Sequence, residues 1–358
     1  RALRSAESFT DPVELYHAER ARGMEWVTIT DHNSLAGSLA IAHLPGTFLG
    51  CELDTWFPED RARVHVVALG IDERTFSVAD QARENVYDLV AVLREANVTH
   101  YLAHPLFDMS GKLTPETVER MLLLFNVLEG RNGAPTSRSN GLLRAIAAGL
   151  TRERLEAMAE RHGIEPYGET PWRKSLVGGS DDHSGLFAAS AYTVAGGDGS
   201  VAGFLRAVAA GDCTHGGADG DARTLAHSIY AASFWKIREI LRLDEQDGRK
   251  RALGLLRKGF GRIGRDVPVL EKTLRGVRRM APGLYRDGDR RGPAWEGLLD
   301  REIGSLLAAP AGINAVDARE LNRRLFVVAQ RLADDVMGMH LAALLDPAVR
   351  LTVRQVLQ

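Results

Sequence analysis

An α/β domain over residues 1–219 followed by an all-helical module over residues 220–358 is the architecture the sequence predicts. Three observations carry it. Short β-branched runs end abruptly in polar residues, helical patterns separate them, and the runs stop after about residue 220. Six or seven such strand–helix units suit a barrel better than an open sheet.

A first helix is expected over 10–23. Asp11 can cap it, Pro12 suits its first position, Glu14 sits where a capping box places it, and Gly23 can close it. Trp26–Thr30 then reads as a buried strand running into Asp31-His32-Asn33. Further strands are expected at Thr47–Glu52, at Val64–Leu69 with His65 inside, and at Tyr101–His104, where Pro105 stops the run. One helix over 76–96 separates the last two. A helix near 115–123 leads to the strand Phe125–Gly130, and helices at 138–148 and 151–162 lead to Ser175–Ser184. A strand at 191–195, a helix at 200–210 and Cys213-Thr214-His215 complete the α/β half. Beyond it, helices are expected within Leu225–Leu243, Arg249–Lys258, Pro268–Met280, Trp295–Leu307 and Ala315–Leu345.

Charge is distributed unevenly. The whole chain carries −2, yet Arg249–Arg291 holds fourteen Lys/Arg against four Asp/Glu. That window is +10 on a remainder of −12, a basic module on an acidic protein. It suggests two roles, a grip on a polyanion such as nucleic acid or simply the wet faces of helices. Without interleaved aromatics to stack bases, the second is favoured. Two cysteines in 358 residues argue against a disulfide framework and fit a reducing, cytoplasmic compartment. No apolar run approaches the roughly 18 residues of a membrane span, and no signal peptide is visible.

The polar residues at the strand ends are His32, Glu52, His65, His104, Asp181 and His183, with Asp31 beside the first. Imidazoles and carboxylates are ligands for Zn²⁺, Mn²⁺ and Fe²⁺. A single strand-end histidine says little, but four of the eleven histidines fall in such contexts, which points to a metal cluster. Asp181 and His183 lie two apart, on one side of an extended segment. Arg131, Arg138, Arg173 and His215 are candidates for binding an anionic substrate. No Gly-x-Ser-x-Gly elbow and no Gly-x-x-x-x-Gly-Lys loop is present.

In order and spacing, Thr30-Asp31-His32-Asn33, Gly50-x-Glu52, His65-Val66-x-Ala68-Leu69-Gly70, Ala103-His104-Pro105 and Gly179-Ser180-Asp181-Asp182-His183 resemble the motifs of the PHP (polymerase and histidinol phosphatase) family. The resemblance covers about residues 1–217. It implies a distorted (βα)7 barrel and two to three divalent ions (Zn, Mn or Fe). It also implies a metal-dependent phosphoesterase that hydrolyses a phosphomonoester or nucleotide with a metal-activated hydroxide. Glu52, His65 and His104 would hold one ion, Glu52 would bridge to a second bound by Asp181, and His32 and His183 would share a third. Asp31 would orient a neighbour. The family opens on a His-x-His strand that this sequence lacks, so that strand is expected upstream of Arg1. The alternative is a catalytically weakened scaffold that docks a partner or nucleic acid through its helical module. Some members carry the domain ahead of a glycosyltransferase, for which the helical region would be a linker.

Overall fold

The structure, a computed structural model, describes residues 10–108, 110–134, 137–183, 185–220, 224 and 351–357. The chain divides into two compact units, Ala6–Ser228 with Ala342–Gln358, and Arg1–Ser5 with Ile229–Leu341. The helices expected between 225 and 345 and the basic window lie outside the described residues. So do the polyanion and glycosyltransferase-linker expectations that rest on them.

The first unit is mixed α/β. Its main sheet has five strands, β1 Gly50–Trp56, β2 Arg63–Leu69, β3 Thr99–Ala103, β4 Val127–Asn132 and β5 Ser175–Gly179, in that spatial order. β3, β4 and β5 are parallel, whereas β1–β2 and β2–β3 are antiparallel. The sheet is not uniformly parallel: residues 57–62 form a short return with no helix to carry the chain across, so β1 and β2 pair antiparallel, and β2–β3 is antiparallel as well although helical residues 73–82 and 86–95 lie between them. β6 Ala191–Ala195 and β7 Cys213–Gly217 form a separate antiparallel pair. The Thr193 hydroxyl ties that pair to β5, donating to the Gly178 carbonyl at 2.9 Å and accepting from its N–H at 3.1 Å.

Helix signals in the sequence map well. α1 is Pro12–Ala21, with Asp11 accepting from Val13 and Glu14 N–H. α2 is the short helix Ala36–Ile41. The single helix expected over 76–96 is two, α3 Glu73–Ala82 and α4 Val86–Glu95. Asn85 breaks it. Its backbone is extended, and its side chain caps α4 through Tyr87 N–H at 3.0 Å. α5 Pro115–Leu124, α6 Ser137–Gly149, α7 Arg152–His162 and α8 Val201–Ala210 follow, with Thr114, Thr151 and Ser200 capping α5, α7 and α8. The Trp26–Asn33 stretch is not a regular strand. It touches the neighbouring chain through two isolated parallel bridges, Val27 to Thr47 and His32 to Glu52.

The last described residues, expected in the helical module, belong to this unit. Thr352 makes a capping box for the short helix Val353–Val356, and Val356 and Leu357 are buried in the core beside α5 and α6.

Strand alternation sets the faces. Leu53, Val66, Leu102 and Leu128 point to the core shared with α4, α5 and α6. Val67, Leu69, Tyr101, Val127 and Val177 point the other way, under α8. Glu52, Asp54, His65 and Glu129 share that second face by parity, and there polar side chains replace apolar ones.

Candidate metal centre

Glu52 is the centre of the cluster. It is buried, and its Oε1 lies 2.5 Å from His65 Nδ1 and 3.2 Å from His104 Nε2. Burial alone would raise its pKa, but the bonds to His104 and His65 hold the carboxyl well below the usual range. The same Glu52 carboxylate, against the cost of burial, raises His104 to about 9.

Asp54, two residues along β1, is the second hub. Its Oδ1 lies 2.9 Å from His65 Nε2, 2.7 Å from Arg63 Nη2 and 3.3 Å from His32 Nδ1. Asn33 Nδ2 donates to Oδ2 at 2.7 Å, and Asn33 Oδ1 accepts from the Asp54 N–H at 3.0 Å. Burial opposes its charge, yet His32, His65, Arg63 and Asn33 together hold its pKa far below the normal carboxylate value.

On the other side of Glu52, Glu129 Oε2 accepts from the His104 N–H and from Asn132 Nδ2, both at 2.7 Å. Asn132 also reaches Asp181 Oδ2 at 3.2 Å. A register shift in β4 between Glu129 and Arg131 lets residues three apart share one face. Burial, reinforced by Asp181, pushes Glu129 up to about 8.

Three non-glycine residues of the cluster have left-handed backbone: His104 (φ 26°), Asp181 (φ 46°) and Asn33 (φ 51°). Such conformations cost about 1–3 kcal/mol each and gather at functional sites.

Among the described residues, one group offers three ligand atoms within 4.8 Å of one another: His32, Glu52 and His65. Two imidazoles and a carboxylate in a mostly buried setting suit Zn²⁺, Mn²⁺ or Fe²⁺. The family resemblance groups Glu52, His65 and His104 at one ion, with Glu52 bridging to a second at Asp181, and puts His32 with His183 at a third. Here His32 joins Glu52 and His65, edge-on to His65 with ring centroids 4.6 Å apart. Asp181 and His183 sit just past β5, with His183 Nδ1 3.2 Å from the Asp181 carbonyl. Asp31 lies against Gly37. Burial raises its pKa, and the charges of His32 and His183 pull it down.

The anion-binding candidates divide. Arg131 and His215 stand together on β4 and β7, where Arg131 meets Asp219 and the Gly217 carbonyl. Arg138 is exposed in the first turn of α6. Arg173 is exposed just before β5, at the opposite end of that strand from Gly179. Asp54, Glu129, Asn132, Asn33 and Arg63 were not singled out from the sequence. The signal for Asp54 was present, because it follows Glu52 by two and shares its face. Glu129 also stood in a recognised strand.

The fold and this cluster define a mixed α/β protein with a His/Glu centre of metal-ligand type. No protein-family model matches the chain, and no curated protein matches it. Solved structures do. A predicted metal-dependent phosphoesterase from Bifidobacterium adolescentis is 16% identical with a TM-score of 0.30, over 47% of this chain and 84% of that one. A two-domain Bacteroides vulgatus protein containing a predicted PHP-like metal-dependent phosphoesterase is 13% identical with a TM-score of 0.38, over 63% of this chain and 66% of that one. The chemistry rests on the side chains described above.

Proposed function

We propose that the chain is a metal-dependent phosphoesterase of the PHP type, acting on a small phosphomonoester or nucleotide. The observation that carries this reading is buried Glu52, clasped by His65 and His104 with His32 and Asp54 beside it. His32, Glu52, His65, His104, Asp181 and His183 are the proposed ligands of two to three divalent ions, with Glu129 added by its geometry and Asp54 as the support of His65 and His32. Bound divalent ions polarise a phosphoryl group, lower the pKa of water and neutralise the leaving oxygen.

The protein's own residues do the rest. Arg63 and Asn33 hold the Asp54 carboxylate, which stands in charge contact with the His65 and His32 rings. Asn132 Nδ2 donates to both Glu129 and Asp181 and so holds the two carboxyls together. Glu52 is buried on the β-sheet face it shares with Val67 and Tyr101. The barrel reading is supported by Arg22, at the end of α1, which donates to the Leu186 carbonyl at 2.9 Å and also to that of Ala188. Those bonds join the end of α1 to the segment between β5 and β6. No helix among the described residues is long and apolar enough to cross a membrane.

The test is elemental analysis of the purified full chain, followed by a phosphatase panel with Mn²⁺, Zn²⁺ and Fe²⁺. The reading expects bound metal that falls in His65→Ala and Glu52→Gln, and hydrolysis that depends on it. Metal content unchanged in both variants overturns it.

A further inference from the structure

A second polar cluster lies at the end of β4, behind Asn132. Arg144 on α6 forks onto Asp219, Nη1 to Oδ1 at 2.8 Å and Nη2 to Oδ2 at 2.9 Å. Asn140 Nδ2 donates to Oδ1 at 3.2 Å. Arg131 Nε stands 3.5 Å from the same oxygen, in charge contact but beyond a hydrogen bond, and this buried N–H has no acceptor. Two guanidinium groups therefore face one carboxylate, so the cradle carries one positive charge more than its occupant cancels. His215 registers the surplus: burial first, then Arg131 and Arg144, lower its pKa, with Asp219 opposing.

The occupant is not part of a regular element. Asp219 follows β7 on a short segment whose backbone is tied by Ala218 N–H to Ser190 O at 2.8 Å and Gly220 N–H to Asn132 O at 3.0 Å. The cradle is built on firmer ground. Asn140 Nδ2 also donates to the Asn132 carbonyl at 2.9 Å, and Arg144 Nη1 to the Gly130 carbonyl at 3.0 Å. Asn132 faces both ways, since its side chain reaches Asp181 in the metal-type cluster.

We infer that Arg131, Arg144 and Asn140 form a phosphate-binding cradle in which Asp219 is a tethered plug, displaced when a phosphate dianion enters. A dianion matches two guanidinium groups, and a planar fork suits phosphate oxygens as well as carboxylate. A tethered carboxylate competes at high effective concentration, so the plugged site binds free phosphate weakly, in proportion to the small open fraction. That the phosphate belongs to the substrate rests on the phosphoesterase reading; the cradle itself does not.

The test titrates inorganic phosphate into the full chain by calorimetry. Asp219→Asn should bind phosphate about tenfold tighter than the natural protein or better, and Asp219→Asn combined with Arg144→Gln should lose that gain. No gain in Asp219→Asn, or a gain that survives loss of Arg144, overturns the proposal. If Asp219→Asn does not fold, hydrogen exchange on the unaltered protein decides. Saturating phosphate should speed exchange at the Ala218 and Gly220 amides, and unchanged exchange overturns the proposal. Absence of metal-dependent hydrolysis alongside a positive phosphate result overturns the phosphoesterase reading and leaves the cradle standing.

Discussion

Asp54 and His65 are direct cross-strand partners on β1 and β2, and the Asp54 Oδ1 to His65 Nε2 distance is 2.9 Å. The other ring nitrogen of His65 faces Glu52 Oε1 at 2.5 Å. One imidazole is thus held between two carboxylates from the same strand. Removing Asp54 leaves every donor of the His32–Glu52–His65 group in place but frees two of their rings. Asp54→Asn is expected to weaken metal binding about 10- to 100-fold, the usual loss when a supporting partner is removed. Competition with a chelating dye measures it, and unchanged affinity refutes the role.

Gly179 offers a test that deletes no donor. A Cβ there would stand 2.5 Å from Glu129 Oε1, closer than packed atoms approach. Gly179→Ala should displace Glu129, lower metal occupancy and cost about 1–3 kcal/mol through crowding. Thermal melting and elemental analysis on the same sample report both effects.

Metal binding should release protons. Without metal, Glu129 is raised to about 8, chiefly by burial, and His104 to about 9, where Glu52 outweighs burial. Both therefore hold a proton at neutral pH, and an ion must displace it. Calorimetric titrations in buffers of different ionisation enthalpy should differ near pH 7. Metal affinity should climb as pH rises towards 9. Identical heats in all buffers would contradict this.

Far from the cluster, Lys174 Nζ donates to the Phe125 carbonyl at 2.9 Å and to Asn126 Oδ1 at 3.3 Å, both neutral acceptors. Burial, aided by Arg94, lowers its pKa from 10.5 to about 7. Between those values the unfolded chain binds the extra proton, so stability rises with pH across that window and the penalty is complete below it. The slope from this residue approaches about 1.4 kcal/mol per pH unit. Urea denaturation of Lys174→Met at several pH values should lack that slope.

Much of the fold could be read from local chemistry. Asp11 caps α1 as the sequence predicts, because capping is decided within a few residues, and Thr114, Thr151 and Ser200 cap α5, α7 and α8 by the same local chemistry. The break at Asn85 was missed for a related reason: apolar periodicity runs through it, and the cap is visible only as one side chain. Strand direction was less legible. β1 and β2 look like any two apolar runs, and the turn between them decides their antiparallel pairing. In the site, His32, Glu52, His65 and His104 lie together, each ending or interrupting an apolar run, whereas the resemblance puts His32 with His183. Glu129 and Asn132 required the β4 register shift, which no spacing rule shows. Asp219 required the tertiary approach of the segment after β7 to α6.

The short helix Val353–Val356 has a consequence for biosynthesis. Leu357 packs against Gly149, and Val356 is fully buried, in a core otherwise built from residues before 165 and from Trp172 and Leu176. The core is thus made of segments from both ends of a long stretch of chain, which a ribosome must synthesise before the second segment exists. The β-sheet and its covering helices can assemble early in translation, but the apolar surface of α5 and α6 that Val356 and Leu357 cover stays exposed until residue 357 has emerged.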